Sequence, residues 1–427
     1  MVIEELSISS LTKFPPDIQE YYVDTPAQLI ELCERLRASR WLALDTEFMR
    51  EKTYYAQFCL LQVATEDLVA CVDPLALKDL GPLLELIYDR TIIKVMHSAR
   101  QDLEMFYDLC GALPQPLFDT QIAATLLGYG DQVGYANLVQ GMLGVELDKS
   151  HTRTDWAQRP LDPEQLRYAA DDVRYLVHIY LQQCAELERK GRGAWLSDDF
   201  AELTDEQRYA NSPLNAWRRI RQANTLKGVQ LAVLRSLAAW REERAKAANK
   251  PRKWIVSDEA LLELARWMPV DTGTLAKVRG VDAQVLNRSG AEIVTVIRTG
   301  KGLPKEQWPK LEAPLRLDAR QEALADTLMA VVRMRGLENA VSPSILTTRK
   351  ELEQLVLGQH DIAILHGWRG ALVGHDLLAL LQGKLSLRVR GGDLSITPVD
   401  TVAGEPISDR RNQSASESGL TPLNEHK

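Results

Sequence analysis

Two carboxylates, Asp45 and Glu47, close the apolar run Trp41-Leu42-Ala43-Leu44 and are separated by one residue. In a strand the side-chain period is two, so both point from one face. Paired acids at the end of a core strand repel each other, and a cation between them removes that cost. Two further stretches supply acids. Asp102 follows the apolar run Ile92-Ile93-Lys94-Val95-Met96 by a few residues, and Tyr168-Ala169-Ala170-Asp171-Asp172 reads as helix. Tyr168 and Asp172 are four apart and share a face, Asp171 is also compatible with it, and the two alanines permit close approach to a sheet.

Four carboxylates drawn from separate points of the chain suit phosphodiester hydrolysis by two divalent ions about 3.5–4 Å apart. A tyrosine beside such a site orients the attacking water by a hydrogen bond, since its ordinary pKa of about 10 makes it a weak base. The five cysteines, 33, 59, 71, 110 and 184, show no CxxC spacing, and the seven histidines form no ligand pair. Any metal is therefore expected to be held by oxygen, as Mg²⁺ or Mn²⁺.

The elements that must position these groups follow from periodicity. Leu29, Ile30, Leu32, Cys33 and Leu36 predict a helix capped by Thr25 ahead of Pro26, and Trp41 to Phe48 is the first strand. Cys59 to Ala64 and Leu68 to Val72 are two more strands, forming an antiparallel meander with it. Ile92 to Met96 is a fourth strand. It leads into a helix at Ser98, where Ser98 and Gln101 have capping-box spacing. A short strand at Leu117-Phe118 precedes a helix stopped by Gly128, and another helix ends at Gly144. Asp162 and Pro163 open one long helix reaching about Arg189. Strands alternating with helices make this first unit an α/β domain with a mixed central sheet.

Beyond Gly193 helical periodicity dominates. Two all-α blocks, 215–300 and 315–390, flank the Gly300-Lys301-Gly302-Leu303-Pro304 linker and suggest a duplicated module. Residues 1–21 read as an extension without strong pattern, 22–193 as the α/β domain, and 401–427 as a disordered polar tail. At 427 residues the chain is too long for one compact core, and two or three domains are expected. The chain has no apolar run of membrane-spanning length and no secretory leader, so no membrane partner and a cytoplasmic location are expected. A net charge of −8 does not announce a nucleic-acid binder. Local distribution is more informative: Arg235, Arg241, Arg244, Lys246, Lys250, Arg252 and Lys253 stand against only Glu242 and Glu243, a cluster that suits either phosphates or a solvated helix face.

The stretches Leu44-Asp45-Thr46-Glu47-Phe48, His97-Ser98-Ala99-Arg100-Gln101-Asp102-Leu103-Glu104 and Tyr168-Ala169-Ala170-Asp171-Asp172 resemble the three motifs of the DEDD 3′–5′ exonucleases, in their tyrosine subclass. Thr53-Tyr54-Tyr55, the segment Leu113 to Gln121, and Leu147 through Leu161 look like bacterial ribonuclease D in particular. The resemblance implies an RNase H-like exonuclease domain. It also implies Asp45, Glu47, Asp102 and Asp172 as metal ligands for two divalent cations, and Tyr168 as the group that orients water. The Y-x-x-x-D pattern of the family selects Asp172 over Asp171. The helical blocks would be HRDC modules, the second more divergent, holding RNA beside the catalytic face.

RNA contacts are sought at exposed aromatic and basic positions. Phe48 is a candidate for stacking on the terminal base, with a core position as the alternative. Tyr54, Tyr55 and Gln57 form a polar-aromatic stretch suited to stacking. Trp156 and Arg159 either clamp a phosphate or pack their loop onto the domain. Arg252 and Lys253 are the candidate backbone contacts of the basic cluster, and His97 is read as structural. The expected activity is removal of nucleotides from RNA 3′ ends with release of 5′-monophosphates. The expected partner is RNA with a free 3′ end, tRNA precursors among them. The alternatives are an exonuclease acting chiefly on DNA and an inactive RNA-binding scaffold.

Overall fold

The structure, a computed structural model, describes residues 18–147, 154–311 and 315–399. The expected tail, most of the N-terminal extension, and Asp148 to Arg153 of the motifs quoted above lie outside the described residues.

The first domain runs β1 (Gln19–Val23), α1 (Pro26–Leu36), β2 (Trp41–Met49), β3 (Gln57–Ala64), β4 (Leu68–Val72), α2 (Gly81–Ile87), β5 (Ile93–Met96), α3 (Arg100–Cys110), β6 (Leu117–Asp119), α4 (Thr120–Leu127), α5 (Tyr135–Leu143), α6 (Pro163–Arg174), α7 (Leu176–Arg189) and α8 (Leu196–Leu203). Its six strands lie in the order β1-β4-β3-β2-β5-β6, with β2 inside the sheet. The meander β2-β3-β4 is antiparallel, whereas β2-β5, β5-β6 and β1-β4 are parallel, so the sheet is mixed. Leu42, Leu44, Leu61 and Val63 face α1 to α3 in one core. Ala43, Leu60, Ala64, Val69 and Cys71 face α6 and α7 in the other. The parity of β2 thus sends Asp45 and Glu47 toward α6.

Three local expectations need correction. The 1–21 extension already contains most of β1, whose sequence QEYYV lacks alternation. Its strand character comes from pairing with β4, some fifty residues away, and from the bond donated by the Tyr22 hydroxyl to Asp73 at 2.6 Å. The capping box at Ser98 does not form. Ser98 has φ of 58°, the α3 cap carries no side-chain bond, and the carboxylate of Asp119 receives the Ser98 and Ala99 amides at 3.2 and 2.8 Å. The same carboxylate caps α4 through the Gln121 amide at 2.8 Å, so one buried acid serves two helix N-termini.

The long helix, finally, breaks at Tyr175 into α6 and α7. In an unbroken helix the Tyr175 amide would donate to the Asp171 carbonyl. That carbonyl instead accepts the Tyr135 hydroxyl at 3.0 Å, and the Tyr175 amide turns to Val173. A side chain inserted into the ladder is a recognised cause of a kink.

The first helical block comprises α9 (Val229–Ala248), α10 (Arg252–Ile255), α11 (Asp258–Trp267), α12 (Thr272–Leu275) and α13 (Ala283–Lys301). The second comprises α14 (Ala319–Glu338), α15 (Pro343–Leu346), α16 (Arg349–Val356), α17 (Gly367–Arg369) and α18 (His375–Leu381). Each opens with a 20-residue helix followed by a four-residue helix. The second block is not purely helical up to residue 390. It ends in a hairpin, β7 (Leu385–Arg390) and β8 (Asp393–Pro398), whose alternation and Gly391-Gly392 turn are legible in the sequence.

The blocks attach to different parts of the exonuclease domain. Leu328, Val331 and Leu352 of the second block join the core beneath α7. Trp195 stacks flat on Trp368 at 4.5 Å, and Arg369 pairs with Asp199 at 2.8 Å. The first block instead receives Tyr54, from the loop after β2, into its own core among Trp217, Leu237 and Ala238.

Candidate active site

Strand β2 and helix α6 bring Asp45, Glu47 and Asp172 together, with one carboxylate oxygen of each within 4.8 Å of the others. Asp45 and Glu47 share a face by strand parity, and α6 crosses that face because Ala169 and Ala170, both buried, let it lie close. Asp171 is excluded by its own pairing: its carboxylate accepts from Arg174 at 2.7 Å. A bulge in the β2-β3 pairing falls between Glu47 and Phe48, directly after the second acid.

Asp102 is placed differently. It lies in the first turn of α3, is buried, and accepts a hydrogen bond from the Thr46 hydroxyl, so it does not join the tight triplet. Its charge is nonetheless felt there, raising the pKa of both Asp45 and Glu47.

The electrostatics are those of negative charge without compensation. Burial, followed by the charges of Asp102, Asp172 and Glu47, holds the Asp45 carboxyl well above the usual range. Burial and then Asp172 push Glu47 up to about 8. Burial is the main cause that raises Asp102 and Asp172 to about 7 each. Such a set is stable as a group of anions only with a cation among them. The Gln62 amide is fully buried directly across β3 from Asp45, and neither of its polar atoms has a protein partner. The donor set, all carboxylate oxygen, fits a hard divalent cation. Tyr168 stands one helical turn before Asp172, and burial together with Asp172, Glu47 and Asp45 drives its pKa up, so its hydroxyl keeps its proton at neutral pH.

Residues that sequence reasoning missed hold this arrangement. Thr46 fixes Asp102, Asp119 sets the start of α3, and Tyr135 bends the α6-α7 junction three residues past Asp172. Tyr135 packs against His97, whose ring nitrogens bond Thr120 Oγ1 at 2.9 Å and the Val133 carbonyl at 3.0 Å. Nothing in local periodicity signals these contacts.

Several candidate RNA contacts are committed elsewhere. Tyr54 is 7% exposed, and its hydroxyl donates to Glu242 of the first helical block. The Asn249 side chain accepts the Tyr54 and Tyr55 amides, both at 3.1 Å, and the half-buried Tyr55 ring sits edge-on to Tyr54. Arg252 donates twice to Glu242 at 2.6 Å and covers the Tyr54 ring. These groups build a domain contact, because a buried Glu242 needs partners. Arg159 donates to both oxygens of Asp73 and to the carbonyls of Trp156, Gln158 and Cys59. It locks its loop to the sheet and has no donor left for a phosphate. Trp156 is buried and packs beside Tyr168 at 6.2 Å. Phe48 is half-buried, and Gln57 and Lys253 are exposed. The basic cluster is divided as well: Arg241 is buried against Asp258, and Lys246 binds the Asn211 carbonyl.

Comparisons with known proteins agree with this layout. Residues 21–188 match the sequence model of a 3′–5′ exonuclease family and residues 230–297 that of the HRDC domain. Ribonuclease D of Sphingobium indicum is 41% identical over 86% of this chain and 96% of its own. Ribonuclease D of Granulibacter bethesdensis is 38% identical over 92% of this chain and 99% of its own. The crystal structure of Escherichia coli RNase D, described as an exoribonuclease involved in structured RNA processing, superposes with a TM-score of 0.73 at 33% identity, covering 86% of this chain and 99% of that one. No helix among the described residues is long and apolar enough to cross a membrane. An exonuclease sheet ending in clustered acids, a helical HRDC domain docked on the loop beyond them, and relatives alike over nearly their whole length place this chain in the ribonuclease D family of metal-dependent 3′–5′ exoribonucleases.

Proposed function

We propose that Asp45, Glu47, Asp102 and Asp172 hold two divalent cations, Mg²⁺ or Mn²⁺, and that the site removes nucleotides one at a time from RNA 3′ ends as 5′-monophosphates. The observation that carries this reading is the meeting of Asp45, Glu47 and Asp172 oxygens within 4.8 Å in a half-buried setting that raises all three pKa values. When bound, the two ions supply Lewis-acid stabilisation at the scissile phosphate and make a water acidic enough to attack it.

The chain's own residues do the rest. Asp45 and Glu47, fixed on the rigid β2, present their oxygens from one face. Asp172 completes the group from α6. Asp102, which accepts the Thr46 hydroxyl, adds negative charge felt most strongly at Asp45 and would be a further ligand. Tyr168 stays protonated and orients the attacking water by hydrogen bonding, without acting as a strong base. Substrates are structured RNAs with single-stranded 3′ ends, tRNA precursors among them, a reading supported by the role of the E. coli relative in structured RNA processing. The second helical block is a divergent copy of the first, which its opening pair of helices supports.

The test incubates the protein with 3′-extended tRNA precursor, unstructured RNA and matched DNA in Mg²⁺ or Mn²⁺. Stepwise release of 5′-monophosphates from RNA, abolished by chelation and by Asp45→Asn, is expected. Equal or faster degradation of DNA, or an Asp45→Asn protein of undiminished rate, overturns it.

A further inference from the structure

The geometry points to Gln62 as a positioning residue for the metal site: its side-chain N–H group donates to the Asp45 carboxylate and fixes the oxygens that Asp45 presents to a divalent cation. The inference rests on the reading above that Asp45 is a metal ligand.

Gln62 sits in the middle of β3, which pairs with β2 on one side and β4 on the other. Its direct partners across these pairings are Asp45 and Cys71, and residues paired across neighbouring strands project to the same face. The Gln62 side chain therefore lies beneath α6 with Asp45. Leu60 and Ala64 flank it along β3 on that face, and α6 contributes Ala169, Ala170 and Val173 to the same apolar core. A carboxamide in such a place is destabilising: the residue is 0% exposed, and neither its nitrogen nor its oxygen has a hydrogen-bond partner among the described residues.

The other buried carboxamides among the described residues are both engaged. Gln165 completes the capping box of α6, accepting the Asp162 amide at 2.9 Å, and Gln183 donates to the Thr120 carbonyl at 3.0 Å. A leucine or methionine would fill the Gln62 position without that penalty, so the amide answers a need that apolar packing does not supply. Of its two cross-strand neighbours Cys71 is committed, its thiol donating to the Leu166 carbonyl at 3.9 Å. Asp45 is left, and side chains paired across antiparallel strands stand about 4.5–5.5 Å apart at Cβ, within reach of a glutamine arm.

An amide suits this role better than a cation. Lysine or arginine at the position would neutralise Asp45 and compete with the metal for it, whereas a neutral N–H group holds one lone pair of the carboxylate and leaves its charge for the ion. Asp102 already has a neutral donor of this kind in the Thr46 hydroxyl.

The test is calorimetric titration of the full chain with Mn²⁺, together with thermal unfolding in chelator, for the wild type, Gln62→Met and Gln62→Asn. Gln62→Met fills the core without a donor, so Mn²⁺ affinity is expected to fall about 10- to 100-fold while the melting temperature in chelator is unchanged or higher. Gln62→Asn keeps the donor on a shorter arm and leaves a void, so it should melt below Gln62→Met yet bind Mn²⁺ more tightly. Opposite orders of stability and affinity mark positioning, since packing alone would move both together. Wild-type Mn²⁺ affinity in Gln62→Met, an affinity order that follows the melting order, or a Gln62→Met chain that does not fold in chelator overturns the inference and leaves the metal site in place. A wild-type chain that takes up no Mn²⁺ overturns the reading of the site itself, and the inference with it.

Discussion

Replacing Arg252 by alanine separates two roles for a residue that the sequence offers as a phosphate contact. In the structure its guanidinium donates two bonds of 2.6 Å to Glu242, whose side chain is 1% exposed, and shields the Tyr54 ring. Removing one partner of a buried pair costs about 3–5 kcal/mol because the other charge is stranded. The Arg252 side chain is 36% exposed, so water can return to the carboxylate, and we discount the loss to about 2–3 kcal/mol. That energy belongs to the contact between the first helical block and the loop after β2. Its reporters are the Tyr54 and Tyr55 amides, which the Asn249 side chain accepts. Native-state hydrogen exchange at these amides should accelerate roughly 30- to 150-fold if they exchange by opening of the contact. The double replacement Glu242→Ala/Arg252→Ala should recover part of the protection, since no lone carboxylate remains. An Arg252→Ala protein with unchanged exchange but a salt slope of RNA binding reduced by about one would refute the reasoning and return Arg252 to the RNA.

Other consequences are checked as directly. The site carboxyls have folded-state pKa values raised to about 7 for Asp102 and Asp172 and about 8 for Glu47, so the metal-free folded chain binds more protons than the unfolded one. Its stability is therefore expected to fall as pH rises from about 4 to about 8, and Mn²⁺ should raise the melting temperature more at pH 8 than at pH 5; calorimetry showing no such trend contradicts it. Tyr135→Phe frees the Asp171 carbonyl to re-form the helix across Tyr175, displacing Asp172; Mn²⁺ affinity by calorimetric titration should weaken about 10- to 100-fold, with little change in RNA affinity under chelation. Asp119→Ala removes the cap of α4 and the acceptor at the start of α3, and denaturant unfolding should register a loss of about 2–3 kcal/mol, against about 0.5 for an exposed acid such as Glu51.

The strands β2 to β6, the acids and the order of the domains are legible in the sequence because each rests on short-range pattern, whereas β1 is made by its pairing with β4. Parity along Leu42 to Glu47 places two carboxylates on one face whatever surrounds them, and four-residue spacing puts Tyr168 beside Asp172. The hairpin at Leu385 to Pro398 is equally legible, although the helical periodicity that precedes it masks its alternation. What only the tertiary structure decides is which polar groups are already taken. Arg159 and Arg252 look like free cations in the chain, and in the fold Asp73 and Glu242 occupy them. Tyr54 looks like a stacking surface and fills another domain's core. Asp102 reads as a neighbour of the other acids, and in the fold the Thr46 hydroxyl already occupies one of its oxygens. Charge and aromaticity belong to the residue, so sequence reveals them. Availability depends on partners tens to nearly two hundred positions away, as between Tyr54 and Glu242, and comes into being only when the chain closes.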